Sequence, residues 1–130
     1  MVIDSSAILA VLFGEPEAEE FIAALGSPGR KFISSVNKLE TMIVVESRKG
    51  KSGTNALNKL LTAASIEVLP FDVSQAEVAM AAWRRYGKGR HPAGLNLGDC
   101  ATYALAATLN DSILCKGSDF CKTDANIVKE

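Results

Sequence analysis

Short apolar runs alternate along the chain with longer stretches in which apolar residues return every three or four positions, the spacing of one helix face. Met1 to Asp4 predict a strand that ends on a carboxylate, and Ser6 to Phe13 a helix that stops near Gly14 and Pro16. Glu17 to Leu25 predict a second helix, with Phe21, Ile22 and Leu25 inward and Glu19 and Glu20 outward. GSPG at 26–29 is a turn. Lys31 to Ser34 then predict a strand, and Ser35 an N-cap for a helix reaching about Lys49, with Val36, Leu39, Ile43 and Val44 on one face. KGKSG reads as a loop, Asn55 to Ala64 as a helix, and Glu67 to Leu69 as a strand stopped by Pro70. Ser74 is expected to cap a helix that runs to about Tyr86. The long loop GKGRHPAGLNLG at 87–98 leads into a helix over Asp99 to Leu109. Ser112 to Cys115 form a strand, KGSDFCKTD a loop, and Asn126 to Val128 a last short strand. Strands alternating with helices predict an α/β fold with a mainly parallel central sheet flanked by helices. A chain of 130 residues fits one domain over 1–130 with a substantial core. In such sheets the site lies beyond the carboxyl ends of the strands, where the strand order switches.

Composition narrows the function. Hydrophobic residues at 48% and charged residues at 22% are ordinary for a globular protein. A net charge of −1 gives no general attraction to polyanions, so such a partner must be met by a local basic patch or through bound cations. No apolar stretch nears the roughly 18 residues of a membrane span. The acidic cluster Glu15 to Glu20 stands where a signal peptide would be basic or apolar, so a cytoplasmic protein without a membrane partner is expected. Cys100, Cys115 and Cys121 show neither zinc-site spacing nor a CxxC motif. They are expected to be reduced, with Cys100 buried and the other two near one surface loop. The sole histidine, His91, lies beside Pro92 and gives little support to a Ser-His-Asp or Cys-His arrangement. Walker-type and GxGxxG loops are absent from the sequence.

The chemistry lies in the acids. Asp4 ends the first predicted strand, Asp99 starts a helix after a glycine, and Asp119 follows the strand over Ser112 to Cys115. Glu40 sits at the edge of an apolar helical stripe, where a carboxylate needs a reason to be. Each has a plain reading by itself: Asp4 a turn former, Asp99 an N-cap, Glu40 a rim charge for Lys38 or Arg48, and Asp119 a loop acid. Taken together they can converge beyond the sheet. Several carboxylates in one small pocket raise each other's pKa unless cations neutralise them. A pocket of carboxylates without His or Cys suits Mg²⁺ or Mn²⁺ rather than zinc. Such ions activate water and stabilise the charge that builds on a phosphodiester.

The blocks VIDSSAILAVLFGEPEAE, SVNKLETMIVVESRKG, RYGKGRHPAGLNLGDCATYALA and ILCKGSDFCKTD resemble, in order and over nearly the whole chain, the PIN-domain ribonucleases. They look most like the VapC toxins of bacterial type II toxin–antitoxin systems. The resemblance implies that Asp4, Glu40, Asp99 and Asp119 are the catalytic, metal-binding acids, with Ser6 a supporting hydroxyl. Thr123 and Asp124 would support or complete the site. It implies Mg²⁺- or Mn²⁺-dependent hydrolysis of RNA, for which transfer RNA is a common target in the family. It also implies a homodimer and a cognate VapB-type antitoxin whose C-terminal segment covers the site, often with an arginine among the acids. Cys115 and Cys121 depart from the family's usual Phe and polar residue.

Basic residues fall in two groups. WRRYGKGRH brings Arg84, Arg85, Lys88 and Arg90 just upstream of Asp99, and SRKGKS brings Arg48, Lys49 and Lys51 to the end of the Glu40 helix. Arg85, Lys88 and Arg90 are the expected RNA contacts. Cations at helix ends also complement the macrodipole, which leaves a purely structural role open. Two other functions compete with the nuclease: a catalytically silent PIN-like domain that binds RNA or protein, and a hydrolase of DNA or small phosphate esters.

Overall fold

Val2 and Ile3 form β1, and consecutive side chains of a strand face opposite sides of its sheet. Both residues are nonetheless fully buried, which requires cover on both faces. The computed structural model, which describes residues 1–128, supplies it. β1 (Val2–Ile3), β2 (Lys31–Ser34), β3 (Ile66–Leu69) and β4 (Ile113–Leu114) form one sheet in the order β3-β2-β1-β4, every pair parallel. Val2 and Ile113 face a layer with α4 (Val73–Tyr86) and α5 (Leu97–Leu109), where Ala79, Tyr86 and Leu105 pack. Ile3, Ile33 and Leu114 face the opposite layer of α1 (Ser5–Leu12), α2 (Ala18–Leu25) and α3 (Ser35–Ala63), with Ile8, Phe21, Val45 and Leu57. One-residue alternation in the strands therefore feeds two separate cores, the three-layer plan of a parallel α/β fold.

β1 lies between β2, reached through α1 and α2, and β4, which arrives from the far end of the chain. The strand order switches between β1 and β4. The Asp4 N–H donates to the Leu114 carbonyl at 2.9 Å, so Asp4 stands at that switch.

Element boundaries differ from the sequence pattern in several places. The loop expected over KGKSG is helical: α3 continues through it, and only Gly50 leaves helical geometry, at φ 63° and ψ −156°. That conformation is essentially closed to residues with a Cβ, so the glycine kinks the helix without ending it. Ser34, not Ser35, caps α3 by accepting from the Val36 N–H. Asp72, not Ser74, caps α4 by accepting from Gln75 N–H at 2.8 Å. The strand expected over Asn126–Val128 is a single bridge between Ile127 and Ile113. No described helix is long and apolar enough to cross a membrane.

Candidate active site

Asp4 follows β1 and caps α1. Its Oδ2 accepts from the Ser6 N–H at 3.1 Å and the Ser6 hydroxyl at 2.5 Å, and its Oδ1 accepts from the Thr102 hydroxyl at 2.6 Å. The carboxylate is thus buried but supplied with donors on both oxygens. Ser6 Oγ in turn accepts from the Lys116 N–H at 2.9 Å, which ties the loop after β4 to the same point.

Asp99 is not the first residue of its helix. Asn96 caps α5, its side chain accepting from the Asp99 N–H at 2.9 Å while Asp99 Oδ2 accepts from the Asn96 N–H at 3.0 Å. This reciprocal capping box fixes the carboxylate and leaves Oδ1 without a hydrogen-bond donor among the described residues. Burial pushes Asp99 up to about 6, with the charges of Asp4, Asp119 and Glu40 adding to it and the Asn96 hydrogen bond opposing. The same site reaches Cys115, whose thiol is pushed up to about 12 by burial and then by the charges of Asp4 and its neighbours.

Glu40 lies in the second turn of α3, and its carboxylate rests on Gly98. A Cβ at residue 98 would meet both Glu40 oxygens at 2.6 Å. The glycine is therefore a matter of room: α3 can bring its acid down onto the first turn of α5 only because no side chain stands there. Asp119 is exposed at the start of the 3-10 turn Phe120–Lys122, and its side chain caps nothing. Among the described residues no three His, Cys, Asp or Glu side chains converge tightly enough to ligate one ion together. The four acids are coupled through charge rather than through a closed ligand cage. An oxygen-only donor set with a glycine-cleared floor fits a hard cation that keeps several waters and takes one or two carboxylates.

Thr123 and Asp124 are turned to other partners. Thr123 Oγ1 donates to the Phe120 carbonyl at 2.7 Å and accepts from the Ala125 N–H, closing the 3-10 turn. Asp124 accepts from the Tyr103 hydroxyl at 2.6 Å and faces Arg85 at 3.7 Å. Neither makes a hydrogen bond to Asp4, Glu40, Asp99 or Asp119. Arg85 also lies over the Tyr86 ring, and Arg90 lies over Trp83 while donating to the Arg84 carbonyl. Both guanidinium groups thus have structural partners, whereas Lys88 is exposed and makes no ion pair among the described residues. No described cysteine is in a disulfide; Cys100 is buried, Cys115 half-buried and Cys121 exposed.

Asn37, Thr102 and Gly98 did not stand out in the sequence. Asn37 is buried one turn before Glu40, and its Nδ2 donates to Ser5 Oγ at 2.9 Å and to the Gly98 carbonyl at 3.1 Å. The buried face of this part of α3 is Asn37, Thr41 and Val45 rather than the apolar positions Leu39 and Ile43, so hydrophobic spacing did not mark it.

The PIN domain family matches residues 1–126. The chain is 45% identical over 124 residues to the VapC30 ribonuclease of Mycobacterium tuberculosis, covering 95% of each. It is 46% identical over 128 residues to a VapC ribonuclease of Mycolicibacterium smegmatis, covering 98% of this chain and 99% of that one. Among solved structures, the sarcin-ricin-loop-cleaving toxin VapC20 of Mycobacterium tuberculosis superposes with a TM-score of 0.80 at 16% identity, over 99% of this chain and 98% of the other. VapBC2 of Rickettsia felis, crystallised with a fragment of its promoter DNA, gives 0.73 at 13% identity over 98% and 96%. The family match over residues 1–126 and the identity along nearly the whole length agree: the chain belongs to the PIN-domain family, among its VapC ribonucleases.

Proposed function

We propose that this protein is the nuclease toxin of a toxin–antitoxin pair, hydrolysing RNA phosphodiesters with Mg²⁺ or Mn²⁺ held among Asp4, Glu40, Asp99 and Asp119, one or two of these acids as direct ligands and the others through water. The observation that carries the reading is geometric: Asp4 stands at the switch between β1 and β4, and the Glu40 carboxylate lies against Gly98, next to the half-buried Asp99 that the capping box fixes. These acids would hold a divalent cation, which when bound would supply charge neutralisation, activation of water and electrostatic stabilisation of the phosphate. Ser6 and Thr102 hold the Asp4 carboxylate in one orientation. The capping box holds Asp99, and its free Oδ1 orients the attacking water and receives its proton. Glu40, lying over Gly98, and the exposed Asp119 complete the acidic rim.

Of Arg85, Lys88 and Arg90, Lys88 is the one with no ion pair or ring partner among the described residues, and it meets phosphate with Arg85 and Arg90 flanking it from their stacked positions. The apolar residues Leu39 and Ile43 of α3 are 54% and 60% exposed. They support the two protein partners inferred from the family, a second copy of this chain and a VapB-type antitoxin. Both expectations, and a cytoplasmic location, belong to the same reading.

The test is cleavage of a mixed cellular RNA pool by protein freed of antitoxin, with Mn²⁺, with Mg²⁺ and with EDTA, beside Asp99→Asn. Discrete fragments that need metal and vanish in the variant are expected. A folded protein that cuts under no condition would favour a silent binding domain, and cleavage that survives in Asp99→Asn would refute the assignment of the site.

A further inference from the structure

Three of the acids sit on three different elements: Asp4 at the start of α1, Glu40 in α3 and Asp99 in α5. Hydrogen bonds within one helix cannot hold such a set in register. One side chain touches all three elements. Asn37, fully buried in α3, donates one proton of its amide to Ser5, the neighbour of Asp4, and the other to the carbonyl of Gly98, the neighbour of Asp99. Glu40 follows three residues later on the same helix, one turn along.

The amide orientation is fixed by chemistry. The Gly98 carbonyl only accepts, so nitrogen must face it. Asn37 Oδ1 is then left without a partner among the described residues. A buried amide oxygen left unsatisfied is unfavourable, and an apolar side chain of the same size would avoid it. The two donations, rather than packing, are what the asparagine contributes. Gly98 links the two observations, because the residue whose carbonyl Asn37 holds is the one on which the Glu40 carboxylate rests.

We infer that Asn37 is a positioning residue that joins the acid-bearing ends of α1, α3 and α5 and so sets the spacing of the metal site. This rests on the nuclease reading, since it presumes that the acids hold a cation. Loss of the amide lets α3 shift against α5, and Glu40 then no longer faces Asp99 at the distance the cation needs. Groups that orient metal ligands from behind typically change metal affinity by about 10- to 100-fold when removed.

The experiment is a direct Mn²⁺ titration, read from the signal of free Mn²⁺ by electron paramagnetic resonance, on wild type, Asn37→Leu, Ser5→Ala and Thr41→Val. Thr41 is equally buried in the same helix, but its hydroxyl donates only to Lys38 of its own turn. Asn37→Leu is expected to weaken Mn²⁺ binding about tenfold or more, and to lower kcat for RNA with KM little changed. Ser5→Ala, which removes one of the two acceptors, is expected to weaken binding by about threefold. Thr41→Val is expected to melt earlier yet bind Mn²⁺ as wild type does. Wild-type Mn²⁺ affinity in a folded Asn37→Leu protein overturns the inference. If that variant does not fold, wild-type affinity in Ser5→Ala overturns it instead. Equal weakening in Thr41→Val also overturns it, by reducing the effect to general loss of core stability. A wild-type protein that binds no Mn²⁺ removes the metal site itself and the inference with it, which a normal wild-type titration distinguishes from failure of the Asn37 role alone.

Discussion

Replacing Gly98 with alanine separates stability from activity at this site. The glycine is buried in the first turn of α5, and the three nearest atoms to an added Cβ all belong to the Glu40 carboxyl group, its oxygens at 2.6 Å. Ordinary contact begins near 3.4 Å, so the carboxylate must retreat by about 0.8 Å. Only the far end of a flexible side chain moves, and the fold has no other reason to object. Alanine also restricts the unfolded chain and favours helix, a gain of about 0.4–1 kcal/mol. Displacement of about 1 Å in a catalytic group can lower a rate by about 100-fold. Gly98→Ala is therefore expected to cut RNA about 10- to 100-fold more slowly. Without metal it should melt at the wild-type temperature or about 2–4 °C higher. Initial rates on one defined RNA at saturating Mn²⁺, paired with thermal melts in EDTA, measure both. Full cleavage activity in a correctly folded variant would refute the role given to Glu40 over Gly98, and a large loss of stability would show that the glycine serves packing instead.

Three further outcomes follow from the hydrogen bonds and charges of the site. Asp99 titrates near 6 in the folded chain and near its ordinary 3.8 in the unfolded one, so the metal-free protein loses stability as pH rises through that interval. Metal-free Asp99→Asn should thus be more stable than wild type by about 1–2 kcal/mol at pH 7.5, after allowing for solvent screening, and nearly equal at pH 3.5. Melts at both pH values check this, and the same gain at each would contradict it. Thr102→Val keeps the volume but removes the hydroxyl that donates to Asp4 at 2.6 Å; a loss of about 1.5–3 kcal/mol in urea unfolding and a lower kcat are expected. Asp124→Asn disturbs an exposed pair with Arg85 at 3.7 Å, so unfolding should change by less than about 1 kcal/mol and cleavage should stay within about twofold. Abolished cleavage there would return Asp124 to the site.

The sequence carried the plan of the sheet and the acids, but not the framework that holds them. Alternation of apolar runs with helical spacing was enough for the α/β order, because Val2 and Ile3, or Ile113 and Leu114, each feed a separate core. Punctuation was misleading where chemistry and geometry part: lysines and glycines in KGKSG look like a loop, yet only Gly50 departs from helix. Asp99 reads as an N-cap because Gly-Asp precedes an apolar run, whereas Asn96 takes that place and the two side chains cap one another. Asn37 and Thr102 were hidden for a different reason. Their partners lie 32, 61 and 98 positions away, and no local pattern encodes a hydrogen bond over that distance.

Asp4 serves as helix cap, partner of Thr102 and member of the acidic set, all at the seam between β1 and β4. Glu40 and Asp119 carry no comparable framework duty. The consequence concerns how such a toxin decays over generations. A host under pressure from the nuclease gains by any inactivating change, but a change at Asp4 also weakens the fold and exposes the chain to proteolysis. Loss of Glu40 or Asp119 removes no side-chain hydrogen bond recorded among the described residues, so the fold is expected to stay intact. Lineages that fall silent while keeping the fold are thus expected to lose those two acids first and to retain the aspartate at the seam, so an inactive descendant would still carry the first half of its ancestor's signature.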